Sequence, residues 1–340
     1  MISNLKFNIT KRISRSNEFD ITRILLAIVV VFQHCSKLLN TPEILNFNSI
    51  PAVPIFIFLS GFLVSESFLF SKSLKIYFEK RIRRILPAYT FVVILGGLAV
   101  YLKNIFFENI DLVNVYSLFK YYFFNLLFLN FKYPCIQSIE NIRDVNLCAV
   151  NGSLWTIKFE ILFYLLLPII LSFGNISKNF FTFLLISNFI VLFFKSYISV
   201  NFFIFSCFLT GTCLYVIKNK WENIYQNHKI DSYLRFLLVI VLLILSGGFI
   251  PFFIVLPLLL LISLFPTKNK AKDLKIFKYG DLSYGIYLVH FPIIRIINWE
   301  QDFLNLPSFF LPFLVLIFSS ISAFIIYWKL EKRFILKRSL

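Results

Sequence analysis

Apolar residues in this chain neither alternate nor keep to one face; they run on for whole membrane thicknesses. Near-continuous apolar segments lie at about 20–40, 50–71, 85–102, 153–173, 180–197, 200–217, 234–250, 251–265, 282–298 and 307–328. A helix needs about 20 such residues to cross a hydrocarbon core of about 30 Å. The pattern therefore predicts an all-α fold: a polytopic membrane bundle of about ten transmembrane helices. The 251–265 segment is short, and its boundary with 234–250 at Pro251 is open by several residues. An eleventh segment at about 113–131 is aromatic but broken by Lys120 and Asn125.

Charge decides the status of that eleventh segment. If it does not cross, the connections fall into two alternating sets. One set (1–19, 72–84, 174–179, 218–233, 266–279 and 329–340) holds 24 Lys/Arg; the other holds Lys103, Lys120, Lys132 and Arg143. Basic residues collect on the cytoplasmic side of membrane proteins, so this bias predicts ten spans with both termini cytoplasmic. Counting 113–131 as a span would put the lysine-rich 266–279 connection and the basic C-terminus outside. The segment is instead expected to be an interfacial or re-entrant element within a long extracytoplasmic loop at about 103–152.

Composition agrees with the pattern. The chain is 59% hydrophobic with 45 phenylalanines and a mean hydropathy of +0.80, far above a soluble domain. The net charge of +17 could suggest nucleic acid, but the basic residues sit in short clusters between apolar segments, as orientation signals do. No linker, repeat or low-complexity tract divides the chain, so residues 1–340 read as a single integral-membrane domain. The first span carries Arg23 and His34 and no cleavage site follows it, which argues against a removable signal peptide. Cys35, Cys207 and Cys213 lie in or near apolar spans and read as packing residues, whereas Cys135 and Cys148 share the outer loop, where an oxidising compartment would permit a disulfide. No Cys/His spacing resembles a metal site.

Candidate chemistry begins in the first span. Arg23 and His34 are eleven residues apart, within about 20° of three full turns, so they share a helix face about 16 Å apart. Ionisable groups inside a span are costly and point to function. Arg23, with Arg81 and Arg84 of the run Lys80-Arg-Ile-Arg-Arg84, forms a basic collar on the cytoplasmic side. It reads either as ordinary anchoring or as a phosphate site, since guanidinium forks suit phosphate oxygens. His34 and Glu160 sit at similar depth in the outer half of the membrane. A carboxylate near an imidazole stabilises the protonated form that a general base must pass through; the alternative for either residue is polar glue between helices. Ser60-Gly61 is a small pair at mid-membrane, suited to close packing or to widening a substrate path. Trp155 reads as an aromatic-belt residue. Tyr284 and His290, in the block Ser283-Tyr-Gly-Ile-Tyr-Leu-Val-His290, put a second histidine mid-span that is structural or part of the path.

Taken in order, these blocks resemble the acyltransferase-3 family of integral-membrane O-acyltransferases. The resemblance rests on Arg23 and His34, Ser60 to Leu63, Arg81 and Arg84 before Leu-Pro-Ala-Tyr, Trp155 and Glu160, and Ser283 to His290, and runs from about Phe19 to Trp328. The chain has Asp20-Ile-Thr before Arg23 where a glycine is common, and Thr156-Ile where Ser-Leu is typical. With no esterase-like domain after the last span, the expectation is a stand-alone member.

The resemblance implies transfer of an acyl group, commonly acetyl, from cytoplasmic acyl-CoA to a hydroxyl of an extracytoplasmic or lipid-linked glycan. Arg23, Arg81 and Arg84 would hold the CoA phosphates. His34 would be the base and Glu160 its stabiliser, with Ser60, Trp155, Tyr284 and His290 along the substrate path. The expected setting is the inner, cytoplasmic membrane of a bacterium, with the bilayer, acyl-CoA and a hydroxyl acceptor as partners and no nucleic acid and no metal. The same buried polar groups also suit a transporter or flippase of a lipid-linked sugar or amphiphile. A scaffold would leave His34 and Glu160 without a reason to be buried.

Overall fold

Inside hydrocarbon a backbone amide or carbonyl has no water to bond, so a spanning segment must satisfy itself as a helix or a closed barrel. The computed structural model describes residues 18–44, 46–107, 115–136, 149–173, 179–193, 199–217, 282–300 and 305–332, with isolated positions at 238, 241 and 334. Among them every regular element is helical. The principal helices are α1 (Glu18–Leu38), α2 (Ala52–Leu69), α3 (Leu74–Phe107), α4 (Val115–Leu126), α5 (Ile157–Phe173), α6 (Phe180–Phe193), α7 (Val200–Ile217), α8 (Ser283–Trp299) and α9 (Leu311–Ile326).

Among the described residues, six stretches are long and apolar enough to cross a membrane: Phe19–Leu38, Ala52–Leu69, Leu74–Lys103, Gly152–Phe173, Val200–Ile217 and Ser308–Glu331. Two further expected spans appear as shorter helices, α6 with 14 residues and α8 with 17. The expected spans at 234–250 and 251–265 lie outside the described residues.

The third span differs from expectation at its start. Residues 72–84 read as a basic connection, yet α3 begins at Leu74 and runs for 34 residues, about 51 Å at 1.5 Å per residue. Lysine and arginine are good helix formers, so the cluster from Lys80 to Arg84 extends the helix instead of ending it. Arg81 and Arg84 therefore stand one turn apart on a rigid element. Further along, Phe91, Ile94, Leu95, Leu98 and Leu102 are exposed while Ala88, Tyr89, Val92 and Val93 are buried. Such a continuous apolar stripe would be an aggregation hazard in water; here it is the lipid-facing side.

The chain packs as two compact units, residues 1–30, 43–79 and 162–281 in one and 31–42, 80–161 and 282–340 in the other. In the first unit, α2 and α7 meet backbone to backbone. A Cβ added to Gly61 would collide with the Phe208 carbonyl, and one added to Gly211 with the Phe58 carbonyl. Close packing, one of the two readings of the Ser60-Gly61 pair, is what Gly61 does. Phe163 stacks on Phe208 with ring centroids 4.2 Å apart, and Phe62 meets Tyr215 edge-on at 5.1 Å. Cys207 and Cys213 are buried in this unit and form no disulfide, as is true of Cys35 in the other. Pro168 inside α5 has no N–H, which frees the carbonyl of Tyr164 four residues back. The Tyr77 hydroxyl donates to that oxygen at 3.2 Å.

In the second unit, Gly285 of α8 lies against Ala323 of α9, where a Cβ would stand 2.8 Å from the alanine Cβ. The segment once in question, 113–131, contains α4, which at 12 residues is about 18 Å long and too short to span. It lies on α3: a Cβ at Gly97 would press on the rings of Tyr121 and Tyr122, and Tyr122 Oη donates to the Ile94 carbonyl at 3.0 Å. Tyr89 Oη donates to the Asn125 carbonyl at 2.6 Å, while Asn125 Nδ2 serves the carbonyls of Tyr121 and Tyr133 at 2.8 Å each. Asn125, which interrupts the apolar run in sequence, is thus what closes the turn after α4. Burial pushes the Tyr121 phenol well above its ordinary range. Cys135 is disulfide-bonded; Cys148, its possible partner, lies outside the described residues.

The α2–α7 contact yields a direct test. Gly61→Val or Gly211→Val is expected to destabilise the protein by about 1–3 kcal/mol through overpacking, read as a lowered melting temperature in detergent. Ala substitution at the neighbouring, half-buried Ser60 serves as the control that leaves it nearly unchanged.

Candidate active site

The second unit gathers the polar residues of α8, the end of α1 and the segment 149–156 into one cluster. α8 has a proline at its centre, and Pro292 cannot donate to the carbonyl of Leu288, four residues back. In a buried helix an orphaned carbonyl needs another donor. Asn151 supplies it: Nδ2 donates to the Leu288 oxygen at 2.8 Å. Its other atom, Oδ1, accepts from the Ser153 backbone N–H at 3.0 Å and from Ser153 Oγ at 2.6 Å, capping the 3-10 turn Gly152–Thr156 that leads into α5. One asparagine thereby joins the start of α5 to the middle of α8.

Four more bonds hold α8 from the same side. Tyr287 Oη donates to the Ser153 carbonyl at 3.0 Å and shares a hydrogen bond of 2.8 Å with Thr156 Oγ1. Thr156, where the family resemblance leads one to expect serine, keeps the hydroxyl and uses it. Tyr284 Oη donates to the Ile85 carbonyl of α3 at 3.2 Å, and Arg295 Nε donates to the Ala149 carbonyl at 3.3 Å. Positions 284, 287, 288, 291 and 295 fall on one stripe of the helix.

Beside that stripe, His34 meets α8 at His290. Its Nδ1 lies 2.7 Å from Nε2 of His290, with the two rings within 4° of parallel. His290 is fully buried, and its own Nδ1 lies 3.2 Å from the Ile286 carbonyl. Phe291 packs edge-on to His34, ring centroids 5.6 Å apart. That phenyl ring rests on Gly152, where an added Cβ would come within 2.5 Å of it. Glycine at 152 is therefore required by the close approach of a ring that also walls the histidine pair.

The other sequence-predicted residues are placed as follows. Arg81 and Arg84 are half-buried on α3 in the second unit, and Arg23 and Ser60 are half-buried on α1 and α2 in the first. Glu160 is half-buried in the first turn of α5, one turn beyond Thr156. Trp155 is half-buried and meets Phe159 edge-on at 5.9 Å. Arg23, Arg81, Arg84 and Glu160 each carry a partner in the structure. The structure thus brings together His34 and His290, which the sequence treated as separate features. Sequence reasoning missed Asn151 and Tyr287, although a signal existed: Pro292 frees one carbonyl in a buried helix and so demands a donor from elsewhere. Among the described residues no group of three His, Cys, Asp or Glu gathers as metal ligands would.

The anchoring makes a prediction. Asn151→Ala is expected to destabilise by about 1–3 kcal/mol, the cost of leaving a buried carbonyl unpaired. Pro292→Ala in the same background restores an N–H to the Leu288 oxygen. A double-mutant cycle of melting temperatures should therefore show coupling, and additive losses would exclude the assignment.

Comparison with known proteins places the chain in a family. The model for the Acyltransferase domain family matches residues 16–330. An O-acetyl transferase of Shigella phage Sf6 is 25% identical over 348 aligned residues, covering 96% of this chain and 98% of the relative. Nodulation protein 10 of Rhizobium leguminosarum bv. viciae is 31% identical over 173 residues, 46% of this chain, and the match spans 44% of that protein. No solved structure gives a significant match. Because the family match runs from the first helix through the last and takes in every element of the histidine site, the chain belongs to the acyltransferase-3 family of membrane O-acyltransferases.

Proposed function

We propose that this protein moves an acyl group, acetyl in the simplest case, from cytoplasmic acyl-CoA to a hydroxyl of an extracytoplasmic or lipid-linked glycan. The observation that carries the reading is His34, a titratable base inside a membrane span, held by a second histidine on a helix anchored by three hydrogen bonds along one stripe. Polar residues in a span are costly unless they act, and a positioned imidazole is the commonest general base.

In this reading His34 takes the proton of the acceptor hydroxyl as its oxygen attacks the thioester carbonyl. The carbon–sulfur bond breaks and CoA departs as a thiolate, which recovers the proton. Glu160, in the first turn of α5, is the carboxylate that would stabilise the imidazolium that forms in between. Arg81 and Arg84, one turn apart on the continuous helix α3, suit the diphosphate of CoA. Trp155 and Tyr284 would line the approach. The 24-to-4 distribution of Lys/Arg between alternate connections supports ten spans with both termini cytoplasmic, in one 340-residue domain of a bacterial inner membrane. The printed name of the phage relative, an O-acetyl transferase, supports acetyl as the group and oxygen as its destination.

Two outcomes test this. His34→Ala should lower transfer of label from radiolabelled acetyl-CoA by about 10²–10⁴-fold in membranes with unchanged protein level; wild-type transfer would end the proposal. Arg81→Ala and Arg84→Ala should raise KM for acetyl-CoA by roughly tenfold or more, the worth of one charge-assisted bond, and leave kcat nearly unchanged. Polysaccharide NMR of a deletion strain beside its parent then identifies the acceptor by the missing acetyl resonance.

A further inference from the structure

Both ring nitrogens of His290 are engaged, and the partners determine where its hydrogen sits. Nδ1 faces the Ile286 carbonyl at 3.2 Å. A carbonyl oxygen only accepts, so Nδ1 is the nitrogen that carries hydrogen, and in a neutral imidazole Nε2 is then an acceptor. The 2.7 Å contact between His290 Nε2 and His34 Nδ1 consequently has one consistent direction: His34 Nδ1–H donates. The opposite assignment would point the bare Nδ1 lone pair of His290 at the lone pairs of the Ile286 oxygen. With hydrogen on Nδ1, neutral His34 has its lone pair on Nε2, the nitrogen turned away from His290. The near-parallel rings, 4° apart, suit an in-plane N–H···N bond.

We infer that His290 is a positioning residue for the transfer reaction: anchored on the Ile286 carbonyl, it selects the tautomer of His34 and presents Nε2 of that ring as the proton acceptor. This rests on the reading of His34 as the base. The acceptor hydroxyl gives its proton to Nε2 as its oxygen bonds to the thioester carbon. His34 is then an imidazolium, and its Nδ1–H bond to His290 becomes charge-assisted and stronger. When the carbon–sulfur bond breaks, the leaving thiolate takes the proton back from Nε2, and the starting tautomer returns.

The choice of histidine over carboxylate as partner has a physical reason. A carboxylate on Nδ1 would place a permanent buried anion in the span, with its desolvation cost. A neutral imidazole offers a directed lone pair with no net charge. The resting pair is thus uncharged, and charge appears only while the proton is in transit. Asn151, Tyr284 and Tyr287 matter to this arrangement because they fix the helix on which His290 stands.

The test compares His290→Phe, which fills the space without an acceptor, with His290→Gln, whose amide oxygen can still accept from His34 Nδ1. The full-length protein in membranes is assayed with radiolabelled acetyl-CoA and the host's own envelope glycan, and turnover is divided by folded protein. His290→Phe is expected to lose roughly 10- to 100-fold in kcat, about the worth of one charge-assisted hydrogen bond, with KM for acetyl-CoA unchanged. His290→Gln should recover most of that loss. Wild-type kcat per folded molecule in His290→Phe would overturn the inference, and so would a His290→Gln variant that folds yet is as slow as the phenylalanine one. Since His34→Ala tests the base independently, an inactive His34→Ala beside a fully active His290→Phe sinks this inference alone.

Discussion

A proline inside a membrane helix leaves one backbone carbonyl without its amide, and hydrocarbon offers no water in exchange. Much of what is particular to this protein follows from how that debt is met. Pro168 frees the Tyr164 carbonyl, which accepts from Tyr77. Pro292 frees the Leu288 carbonyl, which accepts from Asn151. In each case the donor is a side chain from a distant part of the sequence, so a local defect becomes a tertiary crosslink. The second of these crosslinks lies at the centre of the candidate site.

From that bond the site can be followed outward. Asn151 also caps the turn that opens α5, whose Ser153 carbonyl and Thr156 hydroxyl hold Tyr287. Tyr284 ties the same helix to α3. α8 is therefore held against rotation by bonds on one stripe, and His290, three residues beyond Tyr287, inherits that orientation. His34 meets it from α1. A catalytic group needs its geometry held to fractions of an ångström, and a helix fixed by its own missing hydrogen bond is a stiff place to build one. The pair is neutral at rest, which suits an apolar setting where a permanent ion pair would carry a heavy desolvation cost.

The helical class, the membrane setting and the family were legible in the residues alone, because lipid imposes a simple rule: long apolar runs become helices and stay in the bilayer. Charge placement reads 113–131 as a non-spanning element, and the described part of that segment is a helix of 12 residues. The start of α3 was misjudged by about ten residues. A basic cluster reads as a loop in topology arguments, yet lysine and arginine extend helices readily, and neither charge nor hydropathy reports on where a helix leaves the membrane. Thr156 is instructive in a smaller way. Its departure from serine changed the methyl and kept the oxygen, and the oxygen is what Tyr287 uses.

The amino-acid sequence by itself determined the helical class and the membrane setting, and that Arg23 and His34 stand three turns apart on one helix. These follow from local rules of period, length and solvent. It could not determine that His34 and His290, 256 positions apart, would meet nitrogen to nitrogen. Nor could it tell which of the buried polar residues would serve carbonyls and which would serve the base. That was decided by tertiary structure, because a hydrogen bond depends on angles and tenths of an ångström that only packed helices set.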